Sequence, residues 1–113
     1  MHELTLAKGI IDIVNSEAAK NGFDRVLEIR LRVGEFSGVI PECLQEFFPI
    51  AAAGTPAAEA ALTVESIPAA FRCLDCGYEG PVDRKAACCP VCGAAAIRMT
   101  AGREFYVESL KVE

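Results

Sequence analysis

Tryptophan is absent from the 113 residues, histidine occurs once, at His2, and acidic side chains outnumber basic ones by 16 to 11. Each shortage excludes something. A single histidine rules out His-rich metal sites and most His-dependent catalytic triads. A net charge of −5 argues against nucleic acid as a partner, because phosphate neutralisation needs a surplus of Lys and Arg. No apolar run approaches the roughly 20 residues that cross a bilayer, and Met1-His2-Glu3 lacks the positive charge that opens a secretory signal. No G-x-x-x-x-G-K-[ST] phosphate loop occurs. Ser, His and Asp form no recognisable constellation, so an enzyme is not expected. The expectation is a soluble cytoplasmic protein with no membrane and no nucleic-acid partner.

What is present is a globular composition, 52% hydrophobic and 24% charged, of a length suited to one compact domain with a small appendage. Leu4, Ala7, Ile11, Val14 and Ala18 recur at helical spacing and predict a helix over 3–21, stopped by Asn21-Gly22. From Arg25 to Val33 the pattern alternates. Leu27, Ile29, Leu31 and Val33 fall on one face, and Val26, Glu28, Arg30 and Arg32 on the other, as in a half-buried strand. A loop, GEFSG at 34–38, leads to a second helix with Pro41 in its first turn. Pro49 is expected to interrupt or kink that helix, and a turn to fall within the Ala-rich stretch 51–61. Leu62–Ile67 and residues 103–112 read as strands.

Residues 71–99 differ from everything around them. They hold five of the six cysteines, show no strong period, and are too few to build an apolar core alone. Charge shifts as well: residues 1–70 carry 5 basic and 10 acidic groups, whereas residues 71–103 carry 5 basic and 3 acidic. Cys73-Leu74-Asp75-Cys76-Gly77 and Cys89-Pro90-Val91-Cys92-Gly93 are two C-x-x-C-G knuckles, 12 residues apart. Two thiolates on each tight turn can reach one ion, and the glycine permits the turn. Cys73, Cys76, Cys89 and Cys92 therefore predict a closed tetrahedral Zn(II) site with a structural role. The competing reading, a redox dithiol, fits less well, because such motifs normally occur singly near a βαβ unit. Cys88 reads as a bystander thiol able to substitute for Cys89 at a poorer spacing. Cys43 reads as a buried core residue.

The amino terminus is a second candidate. The Met1 amine, the His2 backbone nitrogen and the His2 ring can close adjacent chelate rings on one metal, with a further donor from Glu3. Nitrogen-rich, near-square-planar geometry suits Ni(II) or Cu(II). The alternative is an idle solvated histidine on a frayed terminus.

Taken in order, the opening MHELTLAKGI, RVGEFSGVIPE at 32–42, Gly54-Thr55 with Glu59-Ala60-Ala61, the paired C-x-x-C-G knuckles and the closing GREFYVESLKV resemble the HypA/HybF nickel metallochaperones of nickel–iron hydrogenase maturation. The likeness spans essentially the whole chain. It implies an α+β fold: a three-stranded sheet with two helices, residues 1–70 and 100–113, interrupted by a zinc-ribbon-like four-cysteine domain at 71–99. It implies Ni(II) as transferred cargo, held by the Met1 amine, His2 and Glu3, and Zn(II) held by Cys73, Cys76, Cys89 and Cys92. It also implies delivery to the hydrogenase large subunit alongside a nickel-maturation GTPase. Alternatives are delivery to urease, or a zinc-ribbon interaction module without nickel transfer. Oligomeric state is left open, with a homodimer by helix exchange among the options.

Overall fold

The computed structural model describes residues 3–82 and 85–113. The molecule is elongated, 54 × 26 × 16 Å, and consists of two small sheets. In chain order the elements are α1 (Glu3–Asn21), β1 (Val26–Gly34), α2 (Pro41–Ala52), β2 (Ala61–Ile67), β3 (Ala70–Cys73), β4 (Glu79–Gly80), β5 (Ile97–Ala101) and β6 (Phe105–Val112). The first sheet runs β2-β1-β6 and the second β4-β3-β5. The α+β class with two helices and a three-stranded sheet is as the sequence predicts. The second sheet was hidden by its brevity: β4 has two residues, too few to set a period.

Ala7, Ile10, Ile11 and Val14 of α1 pack with Leu44, Phe48 and Ala52 of α2 over Val26, Ile29, Leu31 and Val33 of β1 and Leu62 of β2. α1 ends as expected, with Gly22 at φ 72° and its N–H donating to the Ala18 carbonyl at 2.8 Å. Its buried stripe is shifted from the predicted one, however. Ile10 is in the core and Leu4 is exposed, because the stripe follows 3, 7, 10, 14.

β1 carries a second departure. Between Val26 and Glu28 its pairing with β6 slips by one residue. That bulge sends Val26 into the core, fully buried, and leaves Leu27 half-buried, the reverse of strict alternation. α2 also runs through Pro49 to Ala52, although Pro49 has no N–H to offer the Gln45 carbonyl. Burial of Phe48 and Ala52 on either side of it holds the last turn in place. The predicted turn follows: Gly54 lies at φ 77°, and the Thr55 hydroxyl donates to the Ala52 carbonyl at 2.6 Å while accepting from the Ala57 N–H at 3.2 Å.

β2 lies parallel to β1, which requires a crossover, and α2 is that crossover. β6 returns antiparallel on the other side. The face away from the helices is polar. Arg32 donates to Glu65 on β2 at 3.1 Å and to Glu108 on β6 at 3.2 Å, tying both outer strands to the middle one.

The GEFSG loop leaving β1 meets both chain segments that lead to the second sheet. The Glu35 N–H donates to the Ile67 carbonyl at 2.9 Å, and its carboxylate accepts from the Ala69 N–H at 2.8 Å. On the return segment, the Gly34 N–H donates to the Glu104 carbonyl at 2.7 Å and the Phe36 N–H to the Gly102 carbonyl at 2.6 Å. The Phe36 ring meets Phe71 of β3 edge-on, with centroids 6.4 Å apart. Gly34 is obligatory here, since a Cβ would lie 2.3 Å from the Gly102 carbonyl.

Candidate metal centre

Cys73 ends β3, and the chain turns back at once. Its N–H donates to the Tyr78 carbonyl at 2.8 Å, and the Gly77 N–H donates to its carbonyl at 3.1 Å. The second knuckle repeats the arrangement. The Cys89 N–H donates to the Ala94 carbonyl at 2.8 Å, and the Gly93 N–H to the Cys89 carbonyl at 2.9 Å. Gly77 and Gly93 sit at φ 80° and 76°, the left-handed region a side chain resists, which explains the glycine after each pair.

Both turns aim amide donors at sulfur. The Cys76 N–H approaches the Cys73 sulfur at 3.5 Å, and the Val91 and Cys92 N–H groups approach the Cys89 sulfur at 3.4 and 3.5 Å. The four sulfurs of Cys73, Cys76, Cys89 and Cys92 all lie within 4.8 Å of one another. Cys73–Cys92 and Cys76–Cys89 are each 3.6 Å apart, too far for a disulfide bond. A tetrahedron with Zn–S bonds of roughly 2.3 Å has sulfur–sulfur edges of roughly 3.8 Å, close to the two 3.6 Å separations, so the cage is of a size to take that ion. Cys73 and Cys89 are buried, while Cys76 and Cys92 face solvent.

The thiols titrate unequally. Burial opposes ionisation of Cys89, but the Cys92 and Val91 amides and the neighbouring sulfurs outweigh it, and its pKa falls to about 7. Cys73 is also lowered, chiefly by the Cys76 amide. For Cys92, the Ala94 amide favours the thiolate, but bonding to Cys73, burial and the other two sulfurs overcome it and push the pKa up to about 12. Cys76 is raised despite the Tyr78 amide, through burial and its bonds to Cys89 and Cys73. Four sulfurs this close cannot all hold negative charge without a cation among them.

Cys88, adjacent to the cage, lies outside the cluster and is partly exposed. Cys43 is only half-buried, not the core residue its helix position suggests; the buried stripe of α2 runs through Leu44, Phe48 and Ala52, and Cys43 flanks it. At the other candidate site, Met1 and His2 lie outside the described residues. Glu3 opens α1 and is buried at 6% exposure, and its Oε2 has no hydrogen-bond partner among the described residues. A buried carboxylate oxygen left unpaired is costly, and such atoms commonly mark a site that receives something. Sequence reasoning noted Glu3 but not its burial. It missed Glu35 and Phe36 as the link between the sheets, although the glycines bracketing that loop signalled a close approach.

A family model described as hydrogenase/urease nickel incorporation, metallochaperone, hypA, matches residues 1–112. The chain belongs to the HypA family. It is 37% identical over 113 residues to the hydrogenase maturation factor HypA of Chlorobium luteolum, covering 100% of this chain and 97% of that one. With the Paracoccus denitrificans HypA it shares 34% over 112 residues, 99% of each. Among solved structures, a solution structure of a HypA protein superposes with a TM-score of 0.77 at 21% identity, covering 100% of this chain and 97% of that one. The solution structure of the nickel metallochaperone HypA from Helicobacter pylori gives 0.71 at 21%, covering 99% and 97%. These likenesses establish the fold, and the family makes the protein a nickel metallochaperone and maturation factor, not an enzyme.

Proposed function

We propose that this HypA-family protein takes up Ni(II) at its amino terminus in the cytoplasm and hands it to the large subunit of a nickel–iron hydrogenase, working with a nickel-maturation GTPase. The Met1 amine, His2 and Glu3 supply the nickel donors. Zn(II) at Cys73, Cys76, Cys89 and Cys92 is structural, and the zinc-binding unit is residues 71–99 inserted between residues 1–70 and 100–113. The observation that carries the reading is Glu3: its carboxylate is buried, with one oxygen unpaired among the described residues, at the start of a packed helix directly after His2 in the chain. A donor fixed on a packed helix, as Glu3 is, makes chelation cheaper in entropy than one on a trailing end.

Nitrogen donors in a near-planar array favour Ni(II), and exchange follows from protonation, because an α-amine titrates near ~8 and an imidazole near ~6.5. Cargo is therefore held near neutrality and released on mild acidification. Calorimetric titration of the untagged, zinc-loaded chain with Ni(II) tests the proposal. His2→Ala, or any residue added ahead of Met1, should abolish the nickel isotherm while zinc content stays unchanged. An unaltered isotherm in either variant sinks it. Urease as recipient is the second reading, supported by the description of the family, which names both enzymes. Nickel transfer in vitro to each apo-enzyme separates the two.

A further inference from the structure

We propose that β5 is a docking edge for an extended acidic segment of another protein, which joins the second sheet as a fourth strand and sets a carboxylate beside Arg98. β5 lies at the rim of the sheet β4-β3-β5, and among the described residues no strand covers its outer side. Its ladder with β3 reaches back to Ala96, whose carbonyl accepts from the Leu74 N–H at 2.8 Å. Alternate backbone N–H and C=O groups of Ile97–Ala101 therefore face away from β3. An unpaired edge of this kind is a template for a further strand.

Charge identifies the occupant. Residues opposite one another in neighbouring strands share a face, and Arg72 lies opposite both Glu79 on β4 and Arg98 on β5. Across the sheet the exposed face thus runs Glu79, Arg72, Arg98. Glu79 is 3.9 Å from Arg72, but Arg98 makes no ion pair among the described residues. Its direct neighbour on β3 is instead a like charge, an arrangement that costs stability. The next position in the row, beyond Arg98, is the open one. A Glu or Asp set there by an added strand gives each arginine one acidic neighbour and completes the row as acid, base, base, acid.

A second observation lies along the same strand. Met99, Thr100, Ala101, Arg103 and Glu104 surround a hollow of about 300 Å³. Glu104 Oε1 is already engaged, accepting from the Gly102 N–H at 2.8 Å. Arg103 is exposed and makes no ion pair among the described residues. Along β5 the half-buried Met99 and Ala101 alternate with the exposed Arg98 and Thr100. A matching strand carries apolar residues beside the first pair and acidic residues beside the second. Arg98 and Arg103 come from opposite ends of β5 rather than from one point, which fits a chain better than a small anion. A second copy of this chain is disfavoured, because its own β5 would bring further arginines to the same edge. Positive charge and brevity also keep neutral strands away, so the edge is selective.

The probe is a short fluorescein-labelled peptide of alternating Val and Glu, titrated by anisotropy with the untagged, zinc-loaded chain up to about 1 mM. Saturable binding is expected, weaker as salt rises and lost when Gln replaces Glu in the peptide. Amide shifts should move at Arg72 and from Ile97 to Arg103, and not along β6. Arg98→Glu removes the repulsion with Arg72, so zinc content and melting temperature should hold while affinity falls about tenfold or more. The double variant Arg98→Glu, Arg103→Glu should prefer a Val–Lys peptide to the Val–Glu one, an exchange that loss of folding cannot produce. No binding at about 1 mM, equal binding of the Gln peptide, or shifts on β6 in place of β5 overturns the proposal. Nickel takes no part in any of these measurements, so their failure is separate from failure of the carrier reading.

Discussion

The two sheets of this molecule are held by different physics. Thirteen apolar residues, from Ala7 to Leu62, form one buried cluster under the first sheet. Among the described residues from 70 to 101, only Cys73 and Cys89 are buried, and both belong to the cysteine cage. The first lobe therefore folds by removing hydrocarbon from water. The second has almost nothing to remove, and its turns place sulfur where a core would be. A metal in that cage is part of the fold rather than an addition to it.

The largest break in this contrast is Cys73→Ala. It should cost zinc outright and unfold the segment from Ala70 to Ala101, because metal affinities of small zinc domains correspond to roughly 10–16 kcal/mol of folding free energy. Amide exchange should reach solvent rates on β3 and β5 and stay slow on β1. Protection retained on β3 would mean that the lobe stands without its ion.

Acid should separate the lobes in the same way. At pH 7 Cys89, with its pKa at about 7, is half ionised, while the raised thiols of Cys76 and Cys92 are protonated. Zinc uptake must then expel about three protons. A lowered thiol pKa favours the folded form above the ordinary thiol value, and the benefit goes as pH falls through about 7. The raised Cys92 works in the opposite sense, favouring the folded form at low pH and losing that benefit as pH climbs toward about 12. Zinc competition at a series of pH values measures the net result: apparent affinity should drop by orders of magnitude per unit below neutrality, while β1 stays folded.

Leu44→Ala tests the hydrocarbon lobe. Leu44 is fully buried between the helices and the sheet, and truncating such a residue costs about 2–5 kcal/mol. Urea unfolding should show the loss in the transition of the first lobe, with zinc content unchanged. This is also where the sequence was most legible. α1, β1 and β2 carry periods long enough to read, and their limits differ from expectation by a residue or less. β6, expected over 103–112, begins two residues later, at Phe105. The misreadings came from events that a period does not encode. The bulge at Leu27 swapped it with Val26, and α2 continues through Pro49 instead of being interrupted there, with Phe48 and Ala52 buried on either side. In the second lobe the reverse held. Its strands were illegible because they are short and half-exposed, yet the four cage residues stood out by spacing alone, since chemistry rather than burial fixes them. Glu3 fell between the two, recognised by position but not as a buried carboxylate with one oxygen unpaired among the described residues.

Gly34→Ala acts where the lobes join. A Cβ there meets the backbone of Gly102 at 2.3 Å and of Arg103 at 2.6 Å, and neither can rotate away as a side chain could. Overpacking of this kind costs about 1–3 kcal/mol or more. Both lobes should remain folded, with chemical-shift changes concentrated at Glu35, Phe36, Ala69 and Gly102. Shifts spread instead through the cysteine cage would show that the joint also sets the geometry of the metal site.

The smallest effect belongs to the surface. Arg25 lies 3.0 Å from Glu59 and 3.8 Å from Glu113, all three side chains more than half exposed. Pairs so well hydrated gain little Coulomb energy and lose side-chain entropy, so Arg25→Ala should cost under about 1 kcal/mol, and less as salt rises. Arg32 provides the control. It also holds two carboxylates, but its side chain is less exposed, at 35%, and spans all three strands of the sheet. Chemical denaturation of Arg25→Ala and Arg32→Ala at low and high salt should give the larger, less salt-sensitive loss for Arg32. Equal losses would mean that the outer face of the first sheet adds nothing to what its hydrocarbon side supplies, and the contrast between the lobes would then rest on the buried cluster alone.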